Sequence, residues 1–375
     1  MKIALLKEKL KEGVKSAERI CSRSSSLPML NNILLKGEKN FFSISATDLE
    51  IGLKWWILAK TDKEGEIAVP SRLFSDFISL LPAEKLELEI SDLNLKIKHE
   101  DKITKIKGFS TEDFPLIPVS EIEKENFVSL SGDSLGLALQ QILPFTATST
   151  SRPEICGVLF QIEKNQLILA ATDSFRLAEK KIPLKEGKDE TFSFILPQKA
   201  AREVVNIFGD REEIKLYFSP NQVMFEALME EVSHPQVQLV SKLIEGEYPN
   251  YQEIIPKEFI TKLILDKKEL IDQIKLASLF TKKSNEIKLK IDSKKQRMEI
   301  FCENPETGEY KACLPAKVEG SSLEIAFNYK FLLDGLIKMK EDEIFFGFQG
   351  EERAVLIKPN NVTDYIYIVM PMKAS

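Results

Sequence analysis

The residue types that most often carry out chemistry are few and scattered in this sequence. Histidine occurs twice, at His99 and His234, and no Gly-x-Ser-x-Gly, His-Glu-x-x-His or Gly-x-x-x-x-Gly-Lys-Ser/Thr motif is present. The cysteines show no Cys-x-x-Cys spacing; they are Cys21, Cys156, Cys302 and Cys313. These absences argue against a zinc site, a disulfide scaffold, a serine hydrolase and ATP use. We predict a protein that is not an enzyme and binds no metal or cofactor, although carboxylate-only chemistry stays open because acidic residues occur throughout.

Three cations recur at one position of a repeated pattern. Arg72, Lys199 and Lys330 each stand two residues after a Pro or Asn at which a predicted strand runs into a predicted helix. The helix dipole disfavours a cation there, so a residue kept at that position is a candidate for function. The six predicted helices carry a net charge of +9 and the rest of the chain −15, counted over 7–23, 71–81, 131–152, 197–209, 267–283 and 328–340.

This separation of charge predicts a helix surface that faces an extended anion such as a polyphosphate backbone. For any single helix, a solvated lysine face is the ordinary explanation. The total charge of −6 excludes a globally basic coat protein but leaves a local basic surface open.

The sequence repeats itself at about one third of its length. Residues 32–53 align without a gap on residues 157–178, at an offset of 125 and with seven identities in 22 positions. Both copies alternate apolar and polar residues, turn at Glu-Lys-Asn and return to Ala-Thr-Asp, which is typical of a β-hairpin. A weaker copy begins at Ile287. An amphipathic helix precedes each hairpin, with apolar positions Leu6, Leu10, Val14 and Ala17, then Leu135, Leu139 and Ile142, then Leu270, Ile274 and Ala277.

These repeats predict an α+β protein of three similar domains, each with two helices on one side of antiparallel sheets. We place the domains at 1–122, 127–255 and 256–375. A chain of 375 residues is too long for one ordinary core, which agrees with this division. Four scattered thiols indicate a reducing compartment, and no apolar run reaches the 18 residues of a membrane span, so we expect a cytoplasmic protein.

Seven segments resemble the bacterial DNA polymerase III beta subunit, the family of sliding clamps. Each string is weak alone, but their order and spacing are specific together, and they run from one end of the chain to the other. They are LPMLNNILL (27–35), ATDLE (46–50), VPSR (69–72), DFP (113–115), ATDSFRLA (171–178), SKLIEGEYPNY (241–251) and YIVMPMK (367–373).

The resemblance implies a DNA-clamp fold and a head-to-tail homodimer that closes into a ring of six domains. Helices would line the inner side of the ring around duplex DNA, and the sheets would lie outside. The implied function is a processivity factor associated with the nucleoid. Its implied partners are the replicative DNA polymerase catalytic subunit, the clamp-loader complex, and other repair and replication proteins that carry a clamp motif. The alternative is a multidomain β-rich adaptor that binds proteins without encircling DNA.

The resemblance also implies three sets of site residues. The DNA-contacting positions are Arg23, Ser24, Arg72, Ser149, Arg152, Lys199 and Arg202, where Ser24 replaces an arginine and Ser149 a glutamine of the commoner pattern. The partner-peptide pocket comprises Ile155, Thr172, Ser174, Phe175, Arg176, Leu177, Pro249, Ile254, Val369, Met370, Pro371 and Met372, where the family often has histidine in place of Phe175. The dimer contact comprises Ile103, Ile106, Leu279 and Phe280, although Phe280 also fits an ordinary core position.

Overall fold

A computed structural model describes residues 1–21, 27–82, 84–115, 117, 126–184 and 191–372. The first third contains one order of elements that the others repeat. Its helices are α1 (Lys7–Ile20) and α2 (Ser71–Leu80). Its strands are β1 (Lys2–Leu6), β2 (Asn32–Glu38), β3 (Phe41–Thr47), β4 (Ile51–Leu58), β5 (Thr61–Lys63), β6 (Gly65–Pro70), β7 (Lys85–Ser91), β8 (Asn94–His99) and β9 (Lys102–Lys107).

The second third follows the same order without a counterpart of the short β5. Its helices are α3 (Gly132–Ile142) and α4 (Gln198–Phe208). Its strands are β10 (Phe127–Leu130), β11 (Gly157–Ile162), β12 (Gln166–Thr172), β13 (Arg176–Pro183), β14 (Phe192–Pro197), β15 (Ile214–Phe218), β16 (Gln222–Leu228) and β17 (Pro235–Lys242).

The last third again has two helices, α5 (Lys267–Ser278) and α6 (Tyr329–Ile337). Its strands are β18 (Thr261–Asp266), β19 (Glu286–Asp292), β20 (Arg297–Asn304), β21 (Gly308–Pro315), β22 (Lys317–Gly320), β23 (Leu323–Asn328), β24 (Glu343–Phe348), β25 (Val355–Pro359) and β26 (Tyr365–Val369). The weak third hairpin predicted from Ile287 is confirmed as β19 and β20, so all three repeats share one plan.

The strands form four sheets, and two of these sheets pass from one repeat into the next. Five strands run in the order β5-β1-β7-β8-β9, and four in the order β21-β20-β19-β23. The eight-stranded sheet runs β10-β15-β16-β17-β4-β3-β2-β6, and the nine-stranded sheet runs β14-β11-β12-β13-β26-β25-β24-β18-β22. The antiparallel pairs β17–β4 and β26–β13 therefore connect successive repeats. We call each of these pairs an inter-repeat joint.

The described chain separates into two compact units, and each joint lies inside one of them. The first unit includes residues 1–137 and 199–243, which hold the eight-stranded sheet. The second includes 138–183 and 244–375, which hold most of the nine-stranded sheet. Each unit therefore contains strands from two repeats, because backbone pairing across a joint is continuous.

The predicted apolar helix faces are buried, with one exception. In α1, Leu10, Val14 and Ala17 are fully buried, and the corresponding residues of α3 and α5 are as well. The prediction for Leu6 was wrong because this residue ends β1 and precedes the helix, with its side chain exposed. Spacings of three and four residues thus identified the core-facing side for every predicted residue that lies within a helix.

Four helices, α1, α3, α5 and α6, end at least three residues earlier than predicted, and the net charge assigned to the helices changes with them. The segment 131–152 is helical only to Ile142, because Pro144 has no N–H to continue the helix and lies in a 3₁₀ turn over Leu143–Phe145. Helices α1 and α5 end at Ile20 and Ser278. With these bounds the six helices carry +3, not +9, and the difference lies in flanking residues Arg23, Arg152, Lys282, Lys283, Lys338 and Lys340.

Candidate functional site

The turn between β12 and β13 is built by two side chains and exposes a third. The Thr172 hydroxyl donates to the carbonyl of Arg176 at 2.7 Å and accepts from the N–H of Ser174 at 3.1 Å. The Asp173 carboxylate accepts the N–H groups of Phe175 and Arg176, both at 3.0 Å. Ser174 has a φ of 77°, in the left-handed region. As a result, Phe175 projects into solvent with 60% of its surface exposed.

The first repeat builds the same turn between β3 and β4. Thr47 donates to the carbonyl of Ile51 at 2.9 Å, and Asp48 accepts from the N–H of Ile51 at 2.7 Å. Leu49 takes the left-handed position with a φ of 75°. The Thr-Asp pair therefore has a structural role in both copies, and any difference in binding must come from the residues around the turn.

Arg176 is held between carboxylates and aromatic rings. Its guanidinium donates to Asp173 at 3.0 Å and to Asp334 of α6 at 2.5 Å. The same group lies 4.7 Å from the centre of the Phe331 ring and 5.2 Å from that of Phe145. Such contacts to a largely buried guanidinium fix its orientation. Arg176 thus fastens the turn to α6.

The C-terminal segment borders this turn through the β13–β26 joint. Arg176 lies opposite Val369, and the N–H of Met370 donates to the carbonyl of Phe175 at 2.9 Å. Beyond the strand, the N–H of Met372 donates to the carbonyl of Ala326 at 2.8 Å. Met370 is exposed, whereas Val369 is fully buried. The chain end therefore presents a thioether beside Phe175.

A third segment, residues 248–256, packs on the nine-stranded sheet over β13 and β26. The Tyr251 hydroxyl donates to the buried Glu179 carboxylate at 2.6 Å, and its ring packs with Leu177 and Ile368. Burial, together with the nearby Glu179 carboxylate, raises the pKa of the Tyr251 phenol, so the phenol stays protonated as a donor. This anchor leaves Ile254 exposed.

The predicted pocket residues thus divide into a buried base and an exposed edge. Ile155, Thr172, Leu177 and Val369 are buried, while Phe175, Ile254 and Met370 are exposed; Ser174 is exposed, and Arg176, Pro249, Pro371 and Met372 are intermediate. The sequence missed Phe331 and Asp334. The Phe331 ring stacks on Phe175 at 6.0 Å, and Asp334 pairs with Arg176. Their spacing of three residues indicates that they share one face of α6. The sequence does not show which turn that face contacts, because this depends on the pairing of β13 with β26.

The predicted DNA-contacting cations occupy different environments. Arg72 has a side chain 75% exposed, with only a loose 3.9 Å contact to Asp76, and Arg202 is also exposed. Lys199 pairs with the Asp48 carboxylate. Arg152 pairs with Glu154 at 2.9 Å and donates to the Ser174 hydroxyl at 3.2 Å. Ser149 is an exposed loop residue, and Arg23 and Ser24 lie outside the described residues.

The predicted dimer residues lie on a strand at the edge of a sheet or close to one. β9 is the last strand of the five-stranded sheet, with Ile103 62% exposed and Ile106 buried. In the third repeat, Leu279 is 70% exposed, and the half-buried Phe280 ring stacks on Tyr310 at 5.9 Å. Tyr310 belongs to β21, which is an edge strand of the four-stranded sheet.

Comparison with known proteins agrees with this architecture in all three repeats. Models of the N-terminal, central and C-terminal domains of the DNA polymerase III beta subunit match residues 1–118, 129–250 and 252–373. The chain belongs to the DNA polymerase III beta subunit family. The beta sliding clamp of Bacillus subtilis is 27% identical over 385 residues, with 100% of both chains covered. That of Staphylococcus aureus is 29% identical over 363 residues, with 94% of each covered.

Solved structures of beta subunits share the fold over their full length. A crystal structure of the sliding clamp from Bacillus subtilis superposes with a TM-score of 0.93 at 26% identity, and one from Thermotoga maritima with 0.91 at 27%. Each comparison covers 100% of both chains. The predicted α+β clamp fold of three repeated domains is therefore confirmed.

The described residues hold neither a metal-ligand cluster nor a membrane-spanning helix. In the part of the chain that the structure describes, no group of three or more His, Cys, Asp or Glu side chains is arranged to hold a metal ion. Among the same residues, no helix is long and apolar enough to cross a membrane.

The contacts of Arg176 lead to a first prediction. In a double-mutant cycle with Arg176→Gln and Asp334→Asn, we expect a coupling free energy of about 1 kcal/mol in urea unfolding, because the guanidinium is largely buried. The exposed pair Lys242–Glu50, 3.2 Å apart, is the matched control and should couple by less than about 0.3 kcal/mol. Additive effects of the first pair would show that it does not fasten the turn.

Proposed function

We propose that this protein is a sliding clamp that encircles duplex DNA as a head-to-tail dimer and tethers a replicative DNA polymerase and other clamp-motif proteins. The observation that carries the proposal is the repetition of the inter-repeat joints. Strand β4 of the first repeat pairs with β17 of the second, and its counterpart β13 pairs with β26 of the third. The corresponding strands left over are β21 and β9, and both are sheet edges.

An edge strand presents unpaired N–H and C=O groups that another strand can satisfy. A third joint would be formed by β21 and β9, which lie at the edges of two different sheets within one chain. Pairing β21 of one protomer with β9 of its partner supplies that joint twice in a dimer. The contact is heterologous, and in a closed ring every β21 and every β9 has a partner. Closure after two copies is the assembly that the family resemblance implies. Six domains and twelve helices would form the ring.

The two observed joints also predict the register of the third. The third residue of β4, Leu53, lies opposite Leu239, and the third residue of β13, Ala178, lies opposite Tyr367. The third residue of β21 is Tyr310. We therefore expect Tyr310 to lie opposite the β9 residue that corresponds to Leu239 and Tyr367.

That residue is Thr104. Leu239 and Tyr367 lie opposite Phe225 and Ile357 in the last hairpin of their repeats, and Thr104 lies opposite Ile97 in the same hairpin of the first. With Thr104 opposite Tyr310, antiparallel pairing sets Lys105 opposite Glu309. Opposite charges face each other in this register, which supports it.

Contact with DNA in such a ring would be made by cations without base reading. Lys and Arg contacts to phosphates are independent of sequence, so the protein can move along the duplex while its topology prevents escape. Arg72 and Arg202 are the best placed of the predicted cations because, among the described residues, neither forms a close ion pair; Arg72 has only the 3.9 Å contact with Asp76. Lys199 and Arg152 would first have to exchange their carboxylate partners for phosphate.

We assign the partner site to the surface formed by Phe175, Ile254 and Met370. An apolar hollow with flexible thioethers can repack around different anchors, so several partners can share it. The polymerase catalytic subunit, the clamp loader and other clamp-motif proteins are the proposed occupants. A clamp of this kind needs no catalytic group of its own, and its place would be on nucleoid DNA in the cytoplasm.

The predicted register gives a charge-swap prediction for the dimer. Lys105→Glu or Glu309→Lys alone should raise the dimer dissociation constant about tenfold, since each places like charges opposite one another at both contacts. The double variant should restore the wild-type constant in sedimentation equilibrium. Glu324→Lys, on the opposite edge strand β23, is the matched control and should leave the constant unchanged. Failure of the double variant to recover would contradict this register.

Removal of the chain end tests the partner site separately. Deletion of residues 370–375 should lower the affinity for a fluorescent clamp-motif peptide at least about tenfold, because it removes Met370 from beside Phe175. The β13–β26 pairing ends at Val369, and the deleted residues belong to neither β21 nor β9, so the dimer mass should stay unchanged. Deletion of 373–375 alone is the control. Equal affinities for all three proteins would show that the pocket lies elsewhere.

A further inference from the structure

A second groove lies on the nine-stranded sheet and is not used by the proposed clamp function. Its volume is about 580 Å³. The floor is apolar and comes from Phe259, Ile264, Phe345, Leu356 and Ile366. The rim carries Lys262, Lys317, Lys358 and one carboxylate, Glu319. A hollow of this size with an aromatic floor and a cationic rim suits a short peptide segment.

The floor is held in place without a ligand. Phe345 lies in register between Ile264 and Lys358 on neighbouring strands. The Phe259 ring meets Phe345 edge to face, with centres 5.6 Å apart. It also covers Gly347 so closely that a Cβ there would lie 2.3 Å from the ring. A preformed aromatic floor lowers the entropy cost of binding an apolar anchor.

The charges on the rim favour an anionic ligand. The ammonium of Lys358 lies 5.7 Å from the centre of the Phe345 ring, and among the described residues no carboxylate forms an ion pair with it. Lys262 and Lys317 reach Glu319 and Glu343 only through exposed contacts of 3.3 and 3.9 Å. Exposed pairs of this kind are weak and exchange readily. The lining therefore has a net positive charge that can interact with an anionic ligand.

The groove adjoins the proposed partner pocket. Ile366 lines the groove, and Ile368, two residues further along β26, packs with Leu177 and Tyr251 beneath the pocket. Alternate strand residues share a face, and two residues span about 7 Å. Pro256 lines the groove and Ile254 is an exposed edge of the pocket, so residues 248–256 separate the two sites.

We propose that this groove is a second docking site for partner proteins, and that it binds an acidic segment with an aromatic or aliphatic anchor next to their clamp motif. The inference rests on the proposed pocket, because it assigns the neighbouring groove to the same partners. The apolar floor would accept the anchor, and Lys358 would pair with an adjacent carboxylate. A phosphate backbone would use the rim but leave the aromatic floor empty, which favours a peptide.

The test compares peptides that differ only in the second segment. The probe is a fluorescent clamp-motif peptide joined, at either end, through a Gly-Ser linker of about six residues to Asp-Asp-Phe-Asp-Asp-Leu; the linker spans about 13 Å. The control peptide carries Ser and Gly in place of that segment. We expect the acidic probe to bind the full-length dimer about tenfold more tightly than the control, with the gain shrinking as salt increases.

Charge variants identify where the gain arises. Lys358→Glu should abolish it and leave the affinity for the short clamp-motif peptide unchanged. Lys290→Glu, an exposed charge reversal on the four-stranded sheet, should preserve it. Equal binding of acidic and control probes would overturn the groove while leaving the pocket standing. If the wild-type dimer also failed to bind the short clamp-motif peptide, both the groove and the pocket assignments would be overturned. Displacement of the acidic segment by a single-stranded oligonucleotide, dependent on Lys358, would assign the groove to nucleic acid instead.

Discussion

The structure depends above all on antiparallel backbone pairing between strands of successive repeats. A sheet edge leaves a row of N–H and C=O groups that must find partners in water or in another strand. Here β4 and β13 find them in β17 and β26, so that each hydrophobic face continues from one repeat into the next. Leu53, Leu239, Ala178 and Tyr367 are all buried at these joints. The counterparts of these joint strands, β21 and β9, are edge strands and have no such partner within the described chain.

The surface that we propose as the partner site lies at the second joint. The same Thr-Asp turn borders both joints, but their surroundings differ. At the first joint, the chain continues past β17, and the exposed pair Lys242–Glu50 lies beside the turn. At the second, Met370 follows β26 and lies beside Phe175, and α6 adds Phe331 and Asp334. The duplicated turn therefore has apolar neighbours at the second joint and a charged pair at the first.

Much of the fold could be predicted because its signals are local. Hairpins with a Thr-Asp end and helices with spacings of three and four are determined by residues close in sequence. The joints are not, because nothing in β4 specifies β17 over 170 residues away. The ion-pair partners of individual side chains could not be predicted from the sequence either. Lys199, at the start of α4 where the helix dipole disfavours a cation, pairs with Asp48 of another repeat, whereas Arg72 at the equivalent position has only a 3.9 Å contact with Asp76.

Encirclement of DNA is tested most directly by changing the topology of the DNA. The protein is loaded with a clamp-loader complex onto singly nicked circular duplex DNA, and the DNA-bound fraction is isolated by gel filtration before and after one restriction cut. A closed ring held by β21–β9 pairing should stay with the circle at salt concentrations that abolish weak phosphate binding and leave the DNA after linearisation. Equal retention on circular and linear DNA would contradict encirclement and indicate ordinary surface binding.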